Sequence, residues 1–188
     1  MSVTVPPPKS VGLIQIFTGD GKGKTTAALG TAMRALARGW RVAFVYFDKG
    51  GSHYAERDIL ASRFSDLVTV CATGLDRIDP ETGKFRFGVT DADRAEAARG
   101  LCAVRDLFAR AEHRLVILDE INSTTSLGML EESDVLDALA SKPQDVEVIL
   151  TGRHCPESFK NIADLVSDIR IVKHYFYQGV PARDGLDF

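Results

Sequence analysis

Residues 18–26 read T-G-D-G-K-G-K-T-T, after a short apolar run and before a helical pattern. Glycines at such a junction let successive backbone N–H groups converge on one anion, and the positive end of the following helix adds to them. Lys24 can extend an ammonium to the outer phosphates of a nucleotide, and the Thr25 hydroxyl can ligate Mg2+. The strict pattern G-x-x-x-x-G-K-[ST] is met at Gly23-Lys24-Thr25, but Thr18 stands at its first position and Gly19 comes one step late. A plain glycine-rich turn would not need strand, loop, lysine, hydroxyl and helix together. A dinucleotide fingerprint fits less well, because Gly19-x-Gly21 is followed by Lys24 at the third glycine position. The nucleotide-binding set is therefore Gly19, Asp20, Gly21, Lys22, Gly23, Lys24, Thr25 and Thr26. Asp119-Glu120 closes another apolar run, where an acid can hold Mg2+ directly or through water beside a phosphate loop. The bland alternative for that pair is a solvated strand end.

Short apolar runs position these groups, at 13–17, 41–47, 67–71, 115–118, 146–150 and 169–172. Helical patterns at 25–37, 55–63, 90–111, 131–140 and 157–164 separate them. Thr90-x-x-Asp93 resembles a capping box, and Pro156 precedes a first helical turn. The alternation predicts an α/β, P-loop NTPase-like fold: a mainly parallel sheet of about six strands with helices on both faces. Ligands of such sheets bind beyond the carboxyl ends of the strands. The segments that follow the runs carry residues 18–25, Asp48-Lys49-Gly50, residues 72–77, Asp119-Glu120, Gly152-Arg153 and Lys173-His174. The stretch 72–89 has no clear period, and a connection that long is usually functional or mobile.

The chain of 188 residues can bury a core without disulfide or metal staples. Its composition, 45% hydrophobic and 26% charged, excludes a disordered, collagen-like or coiled-coil chain. No apolar run approaches a membrane span, and residues 1–10 lack a secretory core. The net charge of −3 argues against a broad nucleic-acid surface. Cys71, Cys102 and Cys155 form no framework and read as reduced thiols of a cytoplasmic protein. Cys71 and Cys102 are expected at core positions. The expected organisation is an extended tail over 1–11 and one domain over 12–188.

F-T-G-D-G-K-G-K-T-T-A-A-L-G-T-A-M-R-A resembles the phosphate loop and first helix of the corrinoid adenosyltransferases of the CobA/CobO/BtuR type. L-D-E-I-N, V-I-L-T-G-R, A-D-L-V-S-D-I-R and V-K-H resemble further family segments, as do the K-G at Lys49, the E-R at Glu56 and the A-T-G at Ala72, in order, over residues 12–188. The resemblance implies that ATP donates its 5′-deoxyadenosyl group to the reduced cobalt of a corrinoid and leaves as triphosphate, with the nucleotide reversed in the loop relative to ordinary NTPases. It implies Lys24 and Glu120 as catalytic residues, Thr25 and Glu120 as magnesium ligands with Asp119 behind them, and Arg34 as a nucleotide contact. A reductase that delivers electrons, and a second copy of the chain as a homodimer, are partners this reading leaves open.

The sequence departs from the family on the corrinoid side. Asp20 replaces a usual Asn. Where relatives carry Phe-x-Trp after A-T-G, this chain has Leu75 and Arg77. Phe85 and Phe87 either supply substitute aromatics or pack the long loop down. Arg77 and Arg153 stand as corrinoid-side candidates with Leu75, Phe85 and Phe87. The missing aromatic pair keeps a second reading open: a paralogue that binds or hydrolyses MgATP without adenosylating a corrinoid, as a regulatory or partner-gated module.

Overall fold

The computed structural model describes residues 12–51, 54–77 and 86–187. Six parallel strands form one sheet: β1 (Ile14–Thr18), β2 (Val42–Tyr46), β3 (Val68–Ala72), β4 (Leu115–Asp119), β5 (Glu147–Thr151) and β6 (Leu165–Asp168), in the order β3-β2-β4-β5-β1-β6. The α/β parallel architecture expected from the alternation is present. Strands β2 and β4 are buried along their whole length, as their continuous apolar runs require.

Helices α1 (Lys24–Leu36) and α2 (Ala55–Arg63) cover one face, where Ala28, Ala32, Leu36 and Leu60 pack with Phe44, Tyr46, Ile117 and Ile149. Helices α3 (Asp91–Arg110) and α5 (Glu132–Ala140) cover the other, where Leu101, Val104, Phe108, Val135 and Leu139 meet Ile16, Val45, Val116 and Val148. The capping box of α3 is complete: the Thr90 Oγ1 accepts from the Asp93 N–H at 3.3 Å, and the Thr90 N–H donates to Asp93 Oδ2 at 2.8 Å.

Two elements differ from expectation. The short helix α4 (Ile121–Ser126) carries a run of poor helix formers, I-N-S-T-T-S. Burial and side-chain bonds hold it, with the Thr124 hydroxyl donating to the Glu120 carbonyl and Thr125 to the Ile121 carbonyl. The sixth strand is Leu165–Asp168, not 169–172, because α6 (Glu157–Ile162) ends early at an extended Ala163. Asp164 then exchanges two bonds with Ile14: its carboxylate accepts from the Ile14 N–H, and its own N–H donates to the Ile14 carbonyl. That pairing sets the register of Leu165 on Gln15. The apolar segment expected as a strand instead starts with Ile169, which bonds the phosphate loop.

Cys102 is exposed on α3, away from the core position expected, whereas Cys71 is half-buried on the edge strand β3 and packs against the core; Cys155 is the buried thiol. Cys102 falls on the outward side of a helix whose inward side is set by Leu101 and Val104. The expected tail over 1–11 and the candidate Phe85 lie outside the described residues. No helix among the described residues is long and apolar enough to cross a membrane.

Candidate functional site: a phosphate-loop cavity

The loop between β1 and α1 is shaped by its contact with the segment after β6. The Gly21 N–H donates to the Ile169 carbonyl at 2.7 Å, and the Ile169 N–H donates to the Thr18 carbonyl at 2.8 Å. A Cβ at Gly21 would stand 2.7 Å from the Ile169 oxygen, so only glycine lets the two backbones meet. Gly23 needs glycine for another reason: it caps α1 with a φ of 117° in open space. Lys24 opens α1 and is buried. Its ammonium folds back onto the carbonyls of Gly19 at 2.7 Å and Gly21 at 2.8 Å, and burial lowers its pKa from the ordinary lysine value.

Residues 20–26 of this loop form the floor of a cavity of about 370 Å³. Glu120 and Arg153 reach it from the ends of β4 and β5, Lys49 and Tyr54 from the segment after β2, and Tyr175, Phe176, Leu186 and Asp187 from the C-terminal segment. Glu120 sits in the left-handed region, at a φ of 63°, as it turns the chain from β4 into α4. Ser123 donates to its Oε2 at 2.5 Å. Behind it Asp119 is fully buried, accepting from the Thr151 hydroxyl at 2.6 Å and from the Lys49 ammonium at 2.5 Å. Lys49 also donates to the Thr25 Oγ1 at 3.1 Å. Burial opposes the charge on Lys49, but Asp119 and Glu120 outweigh it, and its pKa is raised.

The structure thus gathers Asp20, Gly21, Lys22, Gly23, Lys24, Thr25, Thr26, Glu120 and Arg153 around one cavity. Gly19 lies beside it, lining an adjoining open hollow with Asp20 and Arg153. Arg34 is not brought there. It lines a separate groove with Leu13, Gln15 and Trp40, near the amino ends of the strands.

The residues at the family's aromatic positions do not line the cavity either. The Arg77 guanidinium is closed into the protein, donating to Asp48 Oδ1 at 2.9 Å and to the Gly88 carbonyl at 2.7 Å, with Asp93 at 3.9 Å. Arg86 holds Asp93 from the other side, with hydrogen bonds of 3.0 and 2.7 Å. Leu75 packs on the loop that follows β2: its carbonyl carbon is 2.3 Å from where a Cβ on Gly50 would lie. Phe87 is 86% exposed.

Lys49, Tyr54 and Asp187 are the site residues that motif spacing misses. The signal for Lys49 was its place after the second strand. Asp187 has no local signal, since it reaches the loop across the fold: Lys22 and Tyr175 both donate to its Oδ1, and Arg183 to its Oδ2.

A magnesium ion is implied by such a loop, and the residues fit one. An ammonium already bridges the Thr25 hydroxyl and the Asp119 carboxylate, which shows that this gap accepts positive charge, and both groups are hard oxygen donors. Among the described residues no group of three or more His, Cys, Asp or Glu side chains could cage a metal.

Comparison with known proteins places the chain in a family. The FlaH flagellar accessory protein of Methanocaldococcus jannaschii superposes with a TM-score of 0.57 over 85% of this chain and 71% of its own, at 13% identity, which is a likeness of fold. A corrinoid adenosyltransferase of Escherichia coli is 36% identical over 184 residues, covering 94% of this chain and 86% of its own. An uncharacterized protein of Nostoc is 36% identical over 186 residues, covering 93% of this chain but only 48% of its own, so the chain spans about half of that relative. The profile of the ATP:corrinoid adenosyltransferases BtuR/CobO/CobP matches residues 10–188, and the chain belongs to that family.

Proposed function

We propose that this protein binds MgATP in the phosphate-loop cavity and transfers its 5′-deoxyadenosyl group to the reduced cobalt of a corrinoid. The cobalt lone pair attacks C5′, the C5′–O5′ bond breaks, and the bonding electrons leave on O5′ as part of triphosphate. The observation that carries the reading is the convergence of Lys24, Lys49 and Arg153 with loop residues 20–26 on one cavity that also holds Glu120.

The nucleophile is strong, so the protein's work lies in positioning C5′ and in receiving a departing polyanion. Lys24 is preorganised for that. Its ammonium already rests on two loop carbonyls and can turn to phosphate oxygens with little reorganisation. Thr25 and Glu120 would hold the magnesium ion, with Asp119 behind them. When bound, that ion neutralises phosphate charge as a Lewis acid. Asp20, Lys22 and Thr26 shape the rest of the loop wall. The three free thiols support a cytoplasmic setting.

One observation favours the second reading, a paralogue that binds or hydrolyses MgATP for another purpose. Arg77, at a family aromatic position, is consumed by Asp48 and Gly88 and offers nothing to a corrinoid carboxylate. Anaerobic incubation with MgATP and a chemically reduced corrinoid separates the two. Triphosphate together with a light-sensitive cobalt–carbon spectrum is the expected result. ATP binding without adenosylation of preformed cob(I) would select the paralogue.

A further inference from the structure

Asp119 has no exposed surface, and each of its carboxylate oxygens has its own partner. The Thr151 hydroxyl takes one and the Lys49 ammonium takes the other. A buried carboxylate without a counter-charge is costly, and the Lys49 ammonium supplies that counter-charge at the end of β4. The same ammonium holds the Thr25 hydroxyl. One positive centre therefore already joins the first hydroxyl of α1 to the acid of β4.

The backbone beneath this ammonium is pinned. The Arg57 guanidinium donates to the carbonyls of Lys49 and Gly51, and it lies 4.7 Å from the Tyr46 ring centre and 4.3 Å from that of Tyr54. On the other side Asp48, with a φ of 50°, is tied to Arg77. The peptide of Lys49 is fixed while its four-carbon stem can swing, and the side chain lines the cavity.

We propose that Lys49 is the resident cation of this site: it fills the gap between Thr25 and Asp119 until a magnesium–nucleotide complex displaces it, and it keeps free divalent cations out. The inference rests on the reading of Thr25 and the β4 acids as metal-facing. A free divalent ion would have to evict an ammonium from a buried carboxylate without bringing it another anion. A nucleotide brings phosphate oxygens that can take the evicted ammonium, so metal and nucleotide enter together. Lys49 is a positioning residue in this account, and it acts through Asp119 and Thr25.

Mn2+ is the probe, with free Mn2+ read from its electron paramagnetic resonance and bound Mn2+ from water-proton relaxation. Wild-type protein without nucleotide is expected to bind Mn2+ at least tenfold more weakly than Lys49→Met. If Lys49→Met does not melt cooperatively, Lys49→Gln, whose amide still donates to Asp119, carries the same comparison. Adding Asp119→Asn to either variant should abolish the gained affinity. Equal Mn2+ affinity in wild type and the neutral variants overturns the proposal, as does a gain that survives Asp119→Asn. A third arm adds ATP to the wild type and should raise bound Mn2+ above that held by ATP alone. Failure of that arm removes the metal reading itself, and the other two arms leave that reading standing.

Discussion

Lys24 at the start of α1 and Glu120 just after β4 face the same cavity, and each has a distinct job to lose. With MgATP at about 100 times its Kd, a fold that alone binds the nucleotide gains roughly 2.7 kcal/mol. Lys24→Ala should remove most of that gain, read as the loss of the ATP-induced rise in Tm and of heat in a calorimetric titration. Glu120→Gln keeps the shape and can still accept from Ser123. It should lower turnover by about 10²–10³-fold and raise the magnesium concentration needed for half-maximal rate, the scale of deleting one preorganised electrostatic element. These two residues were legible because their signals are local: a lysine and hydroxyl after a glycine loop, and an acid at the end of an apolar run. Asp187 was not, because its distance from Lys22, 165 positions along the chain, is closed only by the fold.

The connection between β3 and α3 is an element whose stem is built from ion pairs. Arg77 spans Asp48 and Gly88, the Arg86 N–H returns to the Arg77 carbonyl at 2.7 Å, and Arg86 joins Asp93 at the start of α3. Arg77→Ala leaves Asp48 half-buried against its desolvation and should cost about 3 kcal/mol in urea unfolding. Asp48→Asn in the same chain should restore part of that. Restoring the family aromatics as Leu75→Phe with Arg77→Trp should lower stability for the same reason.

Asp93 gives this stem an acid limit. The hydrogen bond from Arg86, then those from Thr90, hold its carboxyl well below the ordinary carboxylate range. The unfolded chain therefore binds that proton more readily than the folded one, and the stabilisation is complete above about pH 4 and fades below it. Asp93→Asn should flatten the acid limb of a Tm-against-pH curve, and an unchanged limb would assign it to other carboxylates. The capping box made the start of α3 readable. The end of α6 was unreadable, because a pair of hydrogen bonds between Asp164 and Ile14, far off in sequence, decides where β6 begins.

Across the whole molecule, the sheet supplies a rigid edge and the C-terminal segment supplies the far wall of the cavity. Two apolar layers hold the sheet, so global stability belongs to them. The wall is held by polar contacts at Asp187, whose cationic partners Lys22 and Arg183 are exposed, so these pairs carry little of the fold. Asp187→Ala should therefore leave Tm close to wild type while trypsin cuts faster after Lys22 and Arg183. Equal cleavage rates in the two proteins would mean that Tyr175 and Leu186 hold the wall without the carboxylate. Fold class was legible from strand–helix alternation, whereas strand order was not, since nothing local says that β4 and β5 come between β2 and β1.

That strand order also sets a timetable. β1 pairs with β5 and β6 and with no earlier strand, and the Gly12 N–H finds its partner in Glu147, 135 positions later. At about 5–20 residues per second on a ribosome, roughly 7–27 s pass between the emergence of the start of β1 and that of β5, its first partner. β2, β3 and β4 can assemble in that interval, but Ile14 and Ile16 cannot be covered by their own sheet neighbours. The first strand of this sheet is thus the one whose neighbours arrive last, so its apolar side chains wait longest for cover during synthesis.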